Sequence, residues 1–493
     1  MNAMFGRSYL LVLSLLYLIW LSWLGHYPFD LTSDDAVNFS RAVERFSVLE
    51  FRPHFPGYPA FVSVSRIAAL LVDGEVSNVW ISYLSAIAIP ALVFAVVYRC
   101  CGDYFWSGFA ALIILLQPLM ASVALSGLTD SLGVACLLLS LVALFRGRYG
   151  LAGLCVGLML STRPSYFPLA IGFIIAPLIV RNGRSVLNNY LSSIAGITLV
   201  GLLSFIFIWL TDGATYIDEG IRFTQGHFSI WGNTKASDLA LPIQWLHSLL
   251  PQYGAVGLGV MFASLCIAVV STFKYLSTFK YLSAVKSAST VAVNTEYCRQ
   301  SSQVSVVTCI TVSYLIWVFV AQNPDNLRHW LPIVVLFSLL IALQLCRVSQ
   351  PSSQYAMGPL LCKSVVSTSS PSSVYMPLLA ISILAYFALA GLQNITLSVT
   401  KSPSQQAIEW ISARNEIQVI GTNYSVNLLR DQLADRSIFD MYYASSQLAL
   451  NQADSAWRLS ATKLADQTLE GLFPARFSGE RSLYLYRLNK NKE

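Results

Sequence analysis

The chain has 493 residues, 55% of them hydrophobic and only 11% charged, against roughly 25% charged in an ordinary soluble protein. That deficit, with a mean hydropathy of +0.59 and 12% aromatics, excludes a soluble enzyme and a disordered chain, because the charged residues are too few to clothe a core of this size. A net charge of +6 spread along such a chain forms no basic face, which excludes a nucleic-acid binder.

Apolar runs at 8–24, 78–98, 104–122, 129–145, 149–163, 165–180, 187–211, 252–273, 304–321, 330–346 and 375–398 predict an α-helical polytopic membrane protein of about eleven transmembrane helices. Arg7 ahead of the first run gives it the look of a secretory signal. The run ends in Trp20, Trp23 and Tyr27, with no small-x-small site after it, so it reads as an uncleaved span with an interfacial aromatic belt. The segment 57–72 is apolar but short, with Arg66 at its middle, and reads as a juxtamembrane helix on the outer face.

With the N-terminus cytoplasmic, the basic residues of the short loops fall on one side: Arg99, Arg146, Arg148, Arg181, Arg184, Lys274, Lys280, Lys286, Arg299, Arg347 and Lys363. Segments 25–77, 212–251 and the tail from about 399 then lie outside a membrane, read as a bacterial inner or plasma membrane. The nine cysteines (Cys100, Cys101, Cys136, Cys155, Cys266, Cys298, Cys309, Cys346, Cys362) all fall in spans or inner loops, as avoidance of free thiols in an oxidising space predicts. No CxxC or His-x-x-x-His spacing occurs, so no structural zinc site is expected. The duplicated Ser-Thr-Phe-Lys-Tyr-Leu at 271–276 and 277–282 and the Ser-rich stretch at 349–373 lie on the inner side and carry no chemistry. The sequon Asn394-Ile395-Thr396 sits at a span edge.

The chain therefore divides into a membrane domain, 1–398, with its outer loop 25–77, and a small extracytoplasmic α/β domain, 399–493. In the tail, Ile408–Ile411 reads as helix, Gln418–Gly421 as a strand entering a turn, Tyr424–Leu433 as helix and Ser482–Leu488 as an alternating strand. Gly421 lacks a G-x-G-x-x-G context, so packing is a better account of it than phosphate binding.

Polar chemistry gathers on the outer side. Asp34 and Asp35 follow the first span directly; repulsion between them raises one pKa and suits proton abstraction, while one of the pair can cap the helix that begins near Ala36. Asp34 is the better placed to cap, which leaves Asp35 as the base. Arg52, His54 and Tyr58 stand in the turn that follows, Asp130 opens the fourth span, Arg163 lies between the fifth and sixth, and Arg328 with His329 begins the tenth. Carboxylates and arginines at one membrane level suit a phosphate-bearing lipid and an acceptor hydroxyl, since the Arg fork pairs phosphate oxygens bidentately.

The acidic doublet, His54-Phe-Pro-Gly-Tyr-Pro59, Asp130, Thr162-Arg163-Pro164 and Leu327-Arg-His-Trp-Leu-Pro332 together resemble the GT-C superfamily of integral-membrane glycosyltransferases, which includes the protein O-mannosyltransferases and the lipid A aminoarabinose transferases. The resemblance covers residues 8–346. It implies a sugar donor on polyprenyl or dolichyl phosphate, transfer to a glycan, lipid or protein acceptor on the extracytoplasmic face, and an acidic residue of the first outer loop as base. Carried onto this chain, Asp35 or Asp34 takes that role, Arg163, Arg328 and His329 face the donor phosphate, and Asp130, Arg52, His54 and Tyr58 contact substrate. No Rossmann fingerprint or P-loop is present, in keeping with a donor that is not a nucleotide. No cofactor is required; a divalent cation at the carboxylates is the one addition the residues admit. The rival reading is a transporter or flippase of lipid-linked saccharides, which favours ionisable residues near the bilayer midplane and inverted repeats.

Overall fold

The computed structural model describes residues 3–179, 186–230, 241–285, 295–349, 372–453, 455–465 and 467–488. The loops bearing Arg181, Arg184, Lys286 and Lys363 and most of the Ser-rich stretch, with Cys362, lie outside the described residues. The membrane part contains, in chain order, α1 (Ala3–Leu24), α2 (Asp34–Glu44), α3 (Pro59–Ala68), α4 (Ser77–Cys101), α5 (Tyr104–Leu116), α6 (Met120–Ala124), α7 (Asp130–Phe145), α8 (Tyr149–Thr162), α9 (Phe167–Ile179), α10 (Val186–Asp212), α11 (Thr215–Ile230), α12 (Leu241–Val285), α13 (Thr295–Ala321), α14 (Leu331–Ser349) and α15 (Ser372–Gln393).

Each expected apolar run is helical over most of its length, the last one ending at Gln393 rather than at 398. Six stretches among the described residues are long and apolar enough to cross a membrane: Gly74–Cys101, Leu187–Asp212, Pro242–Ser277, Arg299–Ala321, Leu327–Ser349 and Tyr375–Gln393. Of the other runs, α1 has 22 residues, while α5, α7, α8 and α9 are shorter apolar helices, below the ~20 residues a full crossing takes. Proline and glycine account for two departures from the expected bounds. The run 104–122 breaks at Gln117, held extended (ψ 146°) ahead of Pro118, because a residue before proline is pushed out of the helical region. In α12, Gly254 leaves helical geometry (φ 61°, ψ 170°) three residues after Pro251, so the run expected at 252–273 begins at a kink. The juxtamembrane segment is the ten-residue α3. Its Arg66 is explained by its partners: Nε and Nη2 donate to the carbonyls of Val43 and Ala42 at 3.0 Å, satisfying the open C-terminal end of α2.

The tail folds as α16 (Pro403–Ser412), β1 (Val419–Thr422), α17 (Val426–Gln432), β2 (Ser437–Asp440), α18 (Ala444–Gln452), β3 (Trp457–Ser460), β4 (Thr468–Phe473) and β5 (Leu483–Arg487). The strands form one sheet in the order β2-β1-β3-β5-β4, with β1 parallel to β2 and β3, and β5 antiparallel to β3 and β4. Gly421 serves packing: a Cβ there would lie 2.4 Å from Leu450 and 2.7 Å from the Met441 sulfur.

Two apolar cores result. One fills the helix bundle around Val93, Leu137, Val335 and Leu336. The second joins the first outer loop to the tail, with Leu31, Val37 and Phe39 in the same cluster as Ala407, Ile408, Leu428 and Leu429. Within the bundle, α8 and α10 cross closely because both present glycine: Gly153 would place a Cβ 2.1 Å from the Ser193 carbonyl oxygen, and Gly196 one 2.5 Å from that of Gly150. Gly153→Val should therefore force these helices apart and cost about 1–3 kcal/mol, the scale of overpacking, read as a lower Tm of the purified protein.

Candidate active site

The site is built on the first turn of α2. Ser33, in extended geometry (φ −155°, ψ 164°), is its N-cap, and its Oγ accepts from the Ala36 N–H at 3.3 Å. Asp34 and Asp35 follow on the turn, where successive side chains diverge by about 100°, and their surroundings differ entirely. Asp34 caps, though not the helix expected. Its Oδ1 accepts from the N–H groups of Asn427 (2.7 Å) and Leu428 (3.2 Å), and its Oδ2 from that of Val426 (3.0 Å). These are the free N–H groups of α17, whose own preceding residue, Ser425, supplies no side-chain cap.

Asp35 points elsewhere. Its Oδ2 accepts from Arg328 Nη2 at 3.0 Å, and its Oδ1 lies 3.7 Å from His54 Nδ1. The other ring nitrogen of His54 is 2.9 Å from the Tyr58 hydroxyl. The intervening turn fixes that imidazole: Gly57 N donates to His54 O at 3.0 Å, and Gly57 occupies φ 95° with a Cβ position 2.9 Å from Phe46, so only glycine fits. The His54 ring also stacks on Phe223, centroids 5.8 Å apart. Arg328 enters from the short 3-10 turn Leu327–Trp330 that leads into α14, and its Nε is buried without a hydrogen-bond partner.

Burial pushes the pKa of both carboxylates up, but their neighbours give opposite net shifts. Burial raises the pKa of Asp34, with the three backbone N–H groups opposing; repulsion from Asp35 is the smallest cause, so the shift expected from the doublet has another origin. For Asp35, burial is outweighed by the positive charge of His54, Arg328 and Arg163, and its pKa falls below the ordinary carboxylate value. Asp35 is thus ionised throughout the neutral range. With one carboxylate committed to backbone N–H groups and the other to Arg328, the doublet does not converge on a point where a cation could sit, and no group of three metal-ligating side chains occurs among the described residues.

Behind Asp35 lies a buried network. Arg163 Nη1 donates to Thr129 Oγ1 (2.9 Å) and to Asp130 Oδ2 (3.1 Å), and its Nη2 donates to His329 Nδ1 at 3.0 Å. A guanidinium cannot accept, so Nδ1 is the acceptor and the His329 proton sits on Nε2. Asp130 is fully buried, its Oδ1 and Arg163 Nε without hydrogen-bond partners.

A cavity of about 270 Å³ opens over Asp35 and Arg328. Its walls come from Thr32–Asp35, from Ser126 and Leu128, from Asn326–Arg328, and from three pieces of the tail: 402–404, 423–425 and 479–481. Of the residues expected at the site, the structure brings Asp35, His54, Tyr58 and Arg328 into one chain of contacts, keeps Arg163, Asp130 and His329 as a second layer, and leaves Arg52 outside the cavity wall, 3.6 Å from Glu50. The tail's contribution was not anticipated. The loop between β4 and β5 is held by Arg476, 1% exposed at its side chain, which pairs with Glu480 (2.6 Å) and donates to Thr400 O (3.1 Å), and it carries Gly479, Glu480 and Arg481 to the cavity. The one signal for this in the sequence is a charged cluster, Arg476 to Arg481, set between strand-forming segments, and nothing in it names a partner.

No family model matches the chain, and no curated protein matches it. Solved structures do. The chain is similar to ArnT from Cupriavidus metallidurans, both in a crystal structure bound to undecaprenyl phosphate (TM-score 0.50, 11% identity, 97% of this chain and 98% of that one) and in the apo state (TM-score 0.50, 11% identity, 98% of each). The likeness spans nearly the whole chain, and the fold is that of the ArnT structures, a membrane fold of the kind the sequence resemblance implied.

Two outcomes follow from the carboxylates. Asp34→Ala leaves three N–H groups of α17 without their acceptor and should cost about 1–3 kcal/mol, read as a lower Tm and faster proteolysis of the tail; Asp34→Asn, with one acceptor oxygen in place of two, should recover only part of the loss. Because the pKa of Asp35 is lowered in the folded chain, its pairing contributes stability above the unfolded value near ~3.9 and loses it only as pH falls through the lower folded value. Arg328→Ala removes one source of that lowering, so the acid limb of any activity that needs ionised Asp35 should move to higher pH.

Proposed function

We propose that the chain is a glycosyltransferase that moves a sugar from a polyprenyl-phosphate-linked donor to an acceptor hydroxyl on the extracytoplasmic face. The observation that carries this reading is the Asp35–Arg328 pair at the floor of the 270 Å³ cavity: one ionised carboxylate and one arginine with donor capacity left at Nε. The ArnT-like fold supports the reading, and undecaprenyl phosphate, bound in one of those structures, is the carrier taken here for the donor.

In this scheme the donor phosphate draws the Arg328 guanidinium toward its oxygens, bidentate pairing replacing a single bond to Asp35. Asp35 loses its nearest cation and becomes a stronger base when the donor is seated. The acceptor oxygen attacks the anomeric carbon, the bond from that carbon to the phosphate oxygen breaks with its electron pair, and the acceptor proton passes to Asp35. The lipid phosphate leaves as an anion stabilised by Arg328, and a single displacement inverts the anomeric configuration. His54 and Tyr58 hold Asp35 in place. Arg163 contributes its positive charge to the phosphate site, and neutral His329, accepting from Arg163, fixes the turn that presents Arg328.

An apolar groove of about 510 Å³, lined by Phe55, Tyr216, Ile217, Gly220 and Ile221, begins one residue from His54 and suits the polyprenyl chain. The ionisable groups stand at helix starts and turns, which favours transfer over the transport reading. The N-terminus is assigned to the cytoplasm, and the tail, bonded to Asp34, to the outer face together with the first loop.

Asp35→Asn keeps the shape but not the basicity of the side chain, and should reduce sugar transfer by on the order of 10²–10⁴ while undecaprenyl phosphate still binds. Arg328→Ala should weaken that lipid's binding by roughly 1.5–3 kcal/mol, with Lys restoring part of it. Equal transfer by the Asp and Asn forms would remove Asp35 as the base, and no transfer with movement of the lipid-linked sugar across the bilayer would favour the transporter reading. For topology, cysteines at the exposed positions Leu49 and Ser445 should both react with an impermeant thiol reagent in intact cells; reaction at neither would invert the orientation.

A further inference from the structure

A second cavity adjoins the Asp35–Arg328 site. Its volume is about 620 Å³, and Leu327, Gly479, Glu480 and Arg481 wall both cavities. That size falls within the ~300–1,000 Å³ of small-molecule sites. Beside apolar Pro251, Leu327 and Phe477, the lining carries a set of neutral groups that both donate and accept: Ser248, Gln252, Gln393, Asn394, Thr462 and Ser478. They come from α12, the end of α15 and the tail, so the cavity exists only where the two domains meet.

The charged groups on its wall are already neutralised. Glu480 pairs with Arg476, and Arg481 Nη2 donates to the Asp325 carbonyl at 2.7 Å and lies 3.5 Å from its carboxylate. A phosphate-bearing headgroup or a cationic ligand would find no uncompensated charge among the described walls. An acyl chain would be a poor occupant as well, since it would leave the amides desolvated and unpaired. Two of these amides are held in orientation, Gln252 Oε1 accepting from Ser478 Oγ and Asn394 Nδ2 donating to Ala390 O at 2.7 Å. Fixed amides and hydroxyls without free charge suit a ligand that is itself neutral and polyhydroxylated.

We propose that this cavity is the acceptor site and that the acceptor is a neutral saccharide. The proposal rests on the transferase reading above and names the acceptor class for it. One saccharide hydroxyl crosses the shared wall at Leu327 and Arg481 to reach Asp35. Its oxygen forms the new bond to the donor's anomeric carbon, its proton goes to Asp35, and the lipid phosphate departs with the electron pair of the broken bond.

The test uses the full chain in nanodiscs. Neutral trisaccharides of glucose, mannose, galactose and N-acetylglucosamine, and a neutral Ser/Thr-containing hexapeptide, are compared by saturation-transfer NMR, and undecaprenyl phosphate binding is followed separately by native mass spectrometry. At least one trisaccharide should bind, with its signal reduced tenfold or more in both Thr462→Trp and Ser248→Trp, which fill the cavity from different elements. Undecaprenyl phosphate should bind all three forms alike, which also reports that the variants are folded. If no trisaccharide binds, if only the peptide does, or if saccharide binding survives both tryptophans, the acceptor assignment is overturned whatever the lipid does. Failure of the unmodified chain to bind undecaprenyl phosphate overturns the donor reading instead, and leaves the saccharide result to decide the cavity.

Discussion

The ion pair between Asp35 and Arg328 joins residues 293 positions apart, at the start of α2 and the start of α14. Charges held in a partly desolvated setting are stable only when paired and hydrogen-bonded, so the pair constrains both turns that carry it. Ser33 caps one turn, and Asn326 O accepts from His329 N at 3.0 Å in the other. The buried Arg163–Asp130–His329 network lies directly behind, and the Arg163 charge within it helps keep Asp35 ionised. In the proposed scheme, an arginine that pairs with the base and is drawn away by an anionic donor couples donor binding to base strength. That coupling would also limit proton abstraction from water when no donor is present.

Asp34 determines what covers the site. By accepting three N–H groups of α17 it fastens the tail to the first outer loop, and the shared apolar cluster around Val37, Phe39, Ala407 and Leu428 continues the same contact. The tail is therefore a wall of the cavity rather than an appendage. Arg476 has the matching role from the other side, buried and paired with Glu480, so that Gly479 and Arg481 reach the cavity on a braced loop. Adjacent aspartates thus divide the work: one assembles the domains and the other faces the space between them.

Much of the membrane part was legible in the sequence, because long apolar runs have few alternatives to helix in a low-charge chain. The breaks at Gln117-Pro118 and Gly254 followed known local rules, although they shorten or kink helices that hydropathy alone had drawn whole. In the tail, Val419–Thr422 and Leu483–Arg487 were readable from their patterning, whereas β2, β3 and β4, each short and of mixed polarity, were not. At the site, Asp35, Arg328, Asp130 and Arg163 were found as ionisable residues at helix ends. Their division into a cavity floor and a buried second layer was out of reach, since a guanidinium facing a phosphate and one facing Asp130 have the same sequence signature. Asp34 shows the limit most clearly: a cap is ordinarily local, and the helix it caps lies some 390 residues away.

The most direct test of the account is an experimental structure of the chain with undecaprenyl phosphate bound in nanodiscs. The account predicts the lipid phosphate within hydrogen-bond distance of Arg328, the Arg328–Asp35 bond lengthened or broken, and the prenyl chain running past Phe55. A phosphate held away from Arg328 with the Asp35 pair intact would contradict it.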